Sequence, residues 1–409
     1  MSPTSKGLAA RIAWLRQGRR RSPNPTGPFL TLPFLVILLV TFLGFALEHV
    51  LRPVIPLIIV DRGGNALVIG IVATIHSLPS VLFRPLIGAL VDSGRQRSMF
   101  RLGAIVAAVS PWGVLLPGTV LLGAVRFVQG SAWAVYAVTT RTLMARMAPN
   151  GRRGEASGYY AAMPALAMLI APSAGVALYI TTGEVGPVVV ASALGLATLA
   201  LAGRIAIRTV AEPATATPKG RTSVWGRIVE RSALPPTLMV TTFLAAQTIF
   251  TVFPPLYVVG IGVGVETLAV YYPIYGLTMV LSQIFSGRLS DRIGRGNATR
   301  LGCTIAAVGL ATAAFGDGLF TFSLGAAAYA VAVAMVIPTM SAMAIDRAPE
   351  ARLGSAMATY SIGYQFATGA SSLAWGALIA LADFKAAFVA AIAFQAITFL
   401  LSLKFSRHS

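Results

Sequence analysis

One carboxylate in this chain sits where a carboxylate is expensive. Of its 13 acids, 12 fall in polar stretches or at the ends of apolar runs, and Glu48 alone lies well inside one. A charge at the centre of a bilayer costs about 2.5–3.5 kcal/mol on insertion scales, so such a residue is paired, functional or both. Glu48 precedes Pro56 in its run, which places it about 12 Å from that end at 1.5 Å per residue. Arg126 follows Thr119 and lies about 10 Å below the same face. Equal depth permits a Glu48–Arg126 pair. Three chemistries fit it: a carrier that binds and releases a proton as its surroundings alternate, a fixed structural ion pair, or a direct ligand for a cationic solute.

Fewer other residues carry chemistry. His49 follows Glu48 and faces about 100° away, and His76 is a lone histidine in the next apolar run; both read as satisfied hydrogen-bonding residues. Arg84 stands one turn from the end of that run and is expected to snorkel. Gln129, Tyr136, Gln247, Tyr271, Tyr275, Gln283 and Gln365 are the polar and aromatic residues that sketch a small-molecule cavity. Tyrosines are equally at home at the lipid interface, Tyr271 above all.

The elements that must position these residues follow from composition. Apolar residues are 56% of the 409 and charged residues 11%, with a mean hydropathy of +0.77. The composition therefore implies an all-α polytopic membrane protein rather than a string of soluble domains. One cysteine and three histidines argue against a disulfide scaffold, an iron–sulfur cluster or a metal centre. Twelve apolar runs are expected to span the bilayer: 30–57, 66–90, 100–117, 119–143, 157–181, 185–207, 235–259, 266–287, 298–316, 319–345, 353–380 and 384–403. With the N-terminus in the cytoplasm, 27 of the 32 Lys and Arg residues fall inside, and only Arg62 and Lys385 fall outside. Arg141 counts there among the residues of an inside loop. That asymmetry is the positive-inside signal, so the net charge of +19 needs no nucleic-acid partner. The basic segment 1–29 lacks the apolar core of a signal peptide and reads as a retained cytoplasmic tail. Segment 209–234 reads as a cytoplasmic linker between bundles 30–208 and 235–404, with 405–409 a short tail.

The two halves are related. A shift of 199 superposes Glu48 on Gln247, Pro56-Leu57 on Pro255-Leu256, Gly88 on Gly287 and Asp92 on Asp291. Ala148-Pro149 then falls on Ala348-Pro349 and Gly154 on Gly354, at a shift of 200. Parallel halves of this kind form two-bundle transporters with the substrate site between them.

Within the repeat stand Gly287-Arg-Leu-Ser-Asp291-Arg292-Ile-Gly294-Arg295 and Gly88-Ala-Leu-Val-Asp92-Ser-Gly94-Arg95, with Arg126-Phe-Val-Gln129-Gly130 and Ala171-Pro172-Ser-Ala-Gly175 elsewhere. These motifs resemble the G-x-L-x-D-R-x-G-R/K loop, the R-x-x-Q-G element and the G-P-x-x-G antiporter element of the major facilitator superfamily. The likeness covers the chain from about residue 30 and is nearest the twelve-helix drug:proton antiporter-like branch, which includes sugar-efflux permeases. The first loop lacks one residue between Asp92 and Gly94 and carries Gln96 where a basic residue belongs; Ala171 replaces a glycine.

The resemblance implies twelve transmembrane helices in two pseudo-symmetric six-helix bundles, working by alternating access. Its loops imply a gate: the first Gly for close helix packing, Asp to engage an arginine or a helix N-terminus, and the second Gly for a tight turn. The small residues of the Ala171 element imply close packing, expected against the eighth span, and tie the chain to antiport. Proton-coupled efflux of small organic compounds is the leading reading. Transport of an anionic metabolite is the second, because Arg52, Arg84 and Arg126 outnumber Glu48 inside spans. A non-transporting scaffold or sensor is the third. No phosphate-binding loop or nucleophile constellation suggests an enzyme or a cofactor, which leaves an ion gradient, with a proton gradient as the first expectation, or the substrate's own gradient as the energy source. A monomer in the cell (inner) membrane, with a small-molecule substrate and lipid as its partners, completes the expectation.

Overall fold

The computed structural model describes residues 31–91, 95–147, 153–204, 229–349 and 352–405. In a bilayer every N–H and C=O must find its partner within the segment, so apolar runs of this length become helices. Helices α1 Leu32–Asp61, α2 Ala66–Leu82 continued by Arg84–Leu90, and α3 Gln96–Val109 continued by a tighter turn over Ser110–Leu115 open the first half. They are followed by α4 Thr119–Met147, α5 Arg153–Thr182 and α6 Val185–Arg204. The second half holds α7, in segments Leu234–Leu244, Gln247–Thr251 and Pro254–Gly260, then α8 Leu268–Ile293 and α9 Arg295–Phe315. Helices α10 Gly318–Arg347, α11 Leu353–Leu381 and α12 Phe384–Phe405 complete it. Among the described residues 8 helices are long and apolar enough to cross a membrane by themselves.

The packing repeats with the sequence. In the first half α1 packs on α5, α2 on α4 and α3 on α6; in the second, α7 packs on α11, α8 on α10 and α9 on α12. The halves meet through α2 against α11 and α8 against α5, each pair the image of the other under the same operator. Backbone-to-backbone approach makes these seams. Gly70 abuts the Ser372 carbonyl, Gly376 faces the Ala66 carbonyl and Gly276 faces the Leu169 backbone. Thr74 Oγ1 on α2 donates to the Gly369 carbonyl on α11 at 2.8 Å. The α2–α11 contacts gather toward the face that carries the α1–α2 turn. The opposite face carries the exposed arginines Arg95, Arg97 and Arg292.

Helix α7 breaks where α1, its repeat partner, runs on. Pro254 supplies no N–H to the Phe250 carbonyl, which accepts instead from the Tyr271 hydroxyl at 2.8 Å. The turn at Ala245–Ala246 frees more carbonyls. Phe243 accepts from Tyr329 and Gln395, and Ala245 from the Trp375 indole. Side chains of four other helices thus replace the missing helical bonds, as irregular backbone at membrane depth requires.

Arg62 ties the turns of the first half together. It donates to the Val114 and Leu116 carbonyls, each at 2.8 Å, and pairs with Glu184 at 2.7 Å. Charge-assisted bonds to fixed carbonyls are stronger than an exposed ion pair. Arg62→Ala is therefore expected to destabilise the protein by about 2 kcal/mol, read as a lowered midpoint of thermal unfolding in detergent. An unchanged midpoint would show that the turns are held by packing alone.

Candidate functional site

Helix α1 carries Glu48 at mid-span, and three elements bring basic side chains to it. Arg126 of α4 places Nη2 3.7 Å from Oε1, and Arg52, one turn along α1, reaches the same oxygen at 4.0 Å. His76 of α2 sets Nε2 3.3 Å from Oε2. The Glu48 side chain is 6% exposed and that of Arg126 is 7%. Gln129 orients the arginine: Arg126 Nη1 donates to its Oε1 at 2.7 Å, and Gln129 Nε2 donates to the Ser110 carbonyl at 3.4 Å. Behind the cluster a pocket within the first half is lined by Leu47, Glu48, Ser110, Gln129, Trp133 and Thr198.

Glycine decides who reaches Glu48. Any Cβ on Gly130 would collide with the His76 carbonyl, so only glycine lets α4 close on α2 there and bring the His76 ring beside the carboxylate. Sequence reasoning treated His76 as a self-satisfied histidine, although Gly130 in the R-x-x-Q-G element was the signal for its approach. His49 corrects the same expectation differently: buried near Phe45, its Nδ1 has no hydrogen-bond partner.

The expected lining residues divide. Gln247 on α7 and Tyr275 on α8 are neighbours, and the buried Tyr275 hydroxyl has no hydrogen-bond partner. Tyr272, which the sequence did not single out, is buried on α8 with an unpartnered hydroxyl. Gln365 is half-buried on α11 and Gln283 is exposed on α8. Tyr136 does not face the space between the halves; it is buried inside the first, stacks on Trp133 and donates to the Val40 carbonyl. Tyr271 is likewise committed to the Phe250 carbonyl and packs on Phe322. Both hydroxyls serve backbone carbonyls, a demand that only the folded arrangement creates.

Two arginines were misplaced in the sequence reading. Arg84 does not snorkel away: α2 breaks at Phe83, between Pro79 and Pro85, and Arg84 opens a new segment. Its charge interacts with Arg141 of α4, Tyr160 of α5 and Tyr364 of α11. Arg141, counted as a loop residue, lies within α4, which runs on to Met147.

The gate loops are described only in part. Asp92 and Gly94 lie outside the described residues, as do the side chains of Arg288 and Asp291 and the surroundings of Gly287. Nothing lies within 4 Å of a Cβ built on Gly88, so the close packing expected of that glycine is not found. Gly294 has φ +84°, the left-handed conformation of a tight turn. Arg95 and Arg292 are exposed, whereas Arg295 pairs with Asp346 of α10 at 3.4 Å, inside its own half. The expected packing of α5 on α8 is present at Leu169, while the Ala171 element itself faces α1. Ala171 clusters with Ala46 and Val50, and Gly175 abuts the Val50 carbonyl, so this face of α5 meets α1, with α8 crossing at Leu169. Pro172 stays within the continuous α5 helix.

The sequence profile described as Major Facilitator Superfamily matches residues 37–319 and 274–408. No curated protein matches the sequence. Among solved structures, a nucleoside transporter, NupG, is similar with a TM-score of 0.73 at 13% identity, covering 91% of this chain and 99% of that one. A bacterial homolog of the human lysosomal transporter Spinster, inward-facing and occupied, gives 0.72 at 15% identity over 93% and 98% of the two chains. A peptide transporter, POT, in complex with alafosfalin gives 0.73 at 12% identity over 94% and 97%.

Proposed function

This chain belongs to the major facilitator superfamily, and we propose that it is a proton-coupled antiporter exporting small organic compounds by alternating access. That it is a multi-pass membrane transporter and not an enzyme follows from the family and fold; the coupling, direction and cargo are the proposal. One observation carries it: the lone mid-span acid is held within 4.0 Å of two arginines and a histidine. A carboxylate so surrounded is stable when charged, and it is also the group whose protonation frees a cation to move.

In this reading the arginine-rich face is cytoplasmic and both chain ends lie there, in the inner membrane of a cell, with the transporter acting as a monomer. The seam at Gly70, Thr74 and Gly376 then shuts the outer face, and the space between the halves opens inward. Cargo enters from the cytoplasm, the halves rock, and a proton taken up by Glu48 from outside resets the cycle. One pH unit supplies about 1.4 kcal/mol, and each charge moved through 100 mV supplies about 2.3 kcal/mol. Together these sustain steep cargo gradients without a nucleotide.

The test is cargo-driven proton movement. Purified protein is reconstituted in liposomes holding a pH-sensitive dye, and lipophilic cations, neutral drugs, sugars and organic acids are added singly. At least one compound is expected to move protons at a rate above that of protein-free liposomes. Transport of radiolabelled compounds with no accompanying proton signal would overturn coupling.

A further inference from the structure

We propose that the cargo is an anion, a small soluble compound bearing a carboxylate or phosphate group, and that Arg84 and Arg141 hold that group in the space between the halves. This names the substrate class and rests on reading that space as the cargo path. Helices α1, α2 and α4, two of which pack at or beside the other half, carry Arg52, Arg84, Arg126 and Arg141 against the single mid-span carboxylate of Glu48. Arg52 and Arg126 share that carboxylate. Neither Arg84 nor Arg141 has an acid within salt-bridge distance among the described residues.

The two arginines, neither with an acid beside it among the described residues, lie within electrostatic reach of each other, and the Arg84 Nε is buried without a hydrogen-bond partner. Like charges held near each other repel, and the Arg84 Nε is withdrawn from solvent without a partner; an anion between the two arginines relieves both penalties. The other half answers with neutral groups. Tyr364 of α11 interacts with Arg52, Arg84 and Arg141, and its hydroxyl can donate to the same anion. Arg141 is further aligned over the Tyr160 ring, 5.9 Å from its centroid. A cationic cargo would meet two uncompensated arginines first, and the one acid able to greet it is engaged by three other groups.

The experiment measures binding without a proton gradient, so a failure of coupling leaves it intact. Full-length protein in phosphatidylcholine nanodiscs is titrated calorimetrically with benzoate, phenyl phosphate, benzamide and benzylamine, then with a series of aliphatic carboxylates. At least one carboxylate or phosphate is expected to bind ten times tighter than its amide or amine counterpart. Arg141→Gln, at an exposed position, is expected to weaken that binding at least tenfold. Arg84→Lys, which keeps the charge but loses the fork, is expected to weaken it less than Arg84→Gln. Thermal unfolding of each variant confirms that it is folded. Equal or tighter binding of the amine or amide, anion binding indifferent to both arginines, or no anion bound across the series would overturn the assignment. Repeating the titration with phosphatidylglycerol in the discs distinguishes the source of the anion. Unchanged affinity supports a soluble cargo, and abolished binding assigns the arginines to a lipid headgroup and overturns it.

Discussion

Arg126→Gln is expected to destabilise the protein by about 3 kcal/mol, and adding Glu48→Gln is expected to recover most of that loss. Removing one partner of a buried pair typically costs about 3–5 kcal/mol because the other charge is left uncompensated. Here Arg52 and His76 remain at 4.0 and 3.3 Å from the carboxylate, which sets the effect at the low end. The double substitution exchanges the pair for two neutral amides, and Gln129, whose Oε1 accepted from Arg126, can still receive an amide N–H. Unfolding of wild type, both single variants and the double variant gives a cycle with an expected coupling of at least about 2 kcal/mol. Strict additivity would show that Glu48 and Arg126 are neighbours with no energetic bond.

A valine at Gly376 is expected to hold the outer face open and reduce transport at least tenfold. A Cβ there would lie 2.6 Å from the Ala66 carbonyl oxygen and 2.9 Å from Gly70 Cα. Both obstacles are backbone, so the clash is relieved only by moving α11 away from α2. The fold of each half is untouched, since the seam lies between them. Ser372, 2% exposed on the same seam, provides the reporter. A cysteine placed there is expected to react with an impermeant maleimide much faster in the Gly376→Val background. The native Cys303 is 1% exposed and contributes little signal. Unchanged labelling with intact transport would mean that this seam does not gate.

How far the sequence revealed the structure depended on what each feature needed. The twelve helices were legible because a bilayer tolerates little else, and apolar runs of twenty residues announce them. The depths of Glu48 and Arg126 followed from the rise per residue alone. The break in α7 at Ala245–Ala246 was not legible; it persists because Trp375, Tyr329 and Gln395 arrive from other helices to satisfy its carbonyls. Arg141 was tallied with the loop charges although the apolar run 119–143 already reaches past it, and the helix that carries it continues to Met147. The α5 element was read as small-residue packing, and it is, but composition does not say which neighbour it approaches. Gly175 against Val50 answers that in three dimensions.

The central claim is that a proton on Glu48 couples the gradient to cargo, and one measurement addresses it directly. Wild type and Glu48→Gln are compared in everted membrane vesicles with an acidic lumen, using a labelled cargo found by the proton-flux assay. Two quantities are followed: accumulation of cargo against its gradient, and exchange of labelled for unlabelled cargo at equal concentrations. Wild type is expected to accumulate cargo while its lumen turns more alkaline. Glu48→Gln is expected to exchange cargo across the membrane but neither accumulate it nor move protons. Accumulation by Glu48→Gln at the wild-type level, with the same proton release, would contradict the account and leave Glu48 a structural partner of Arg126.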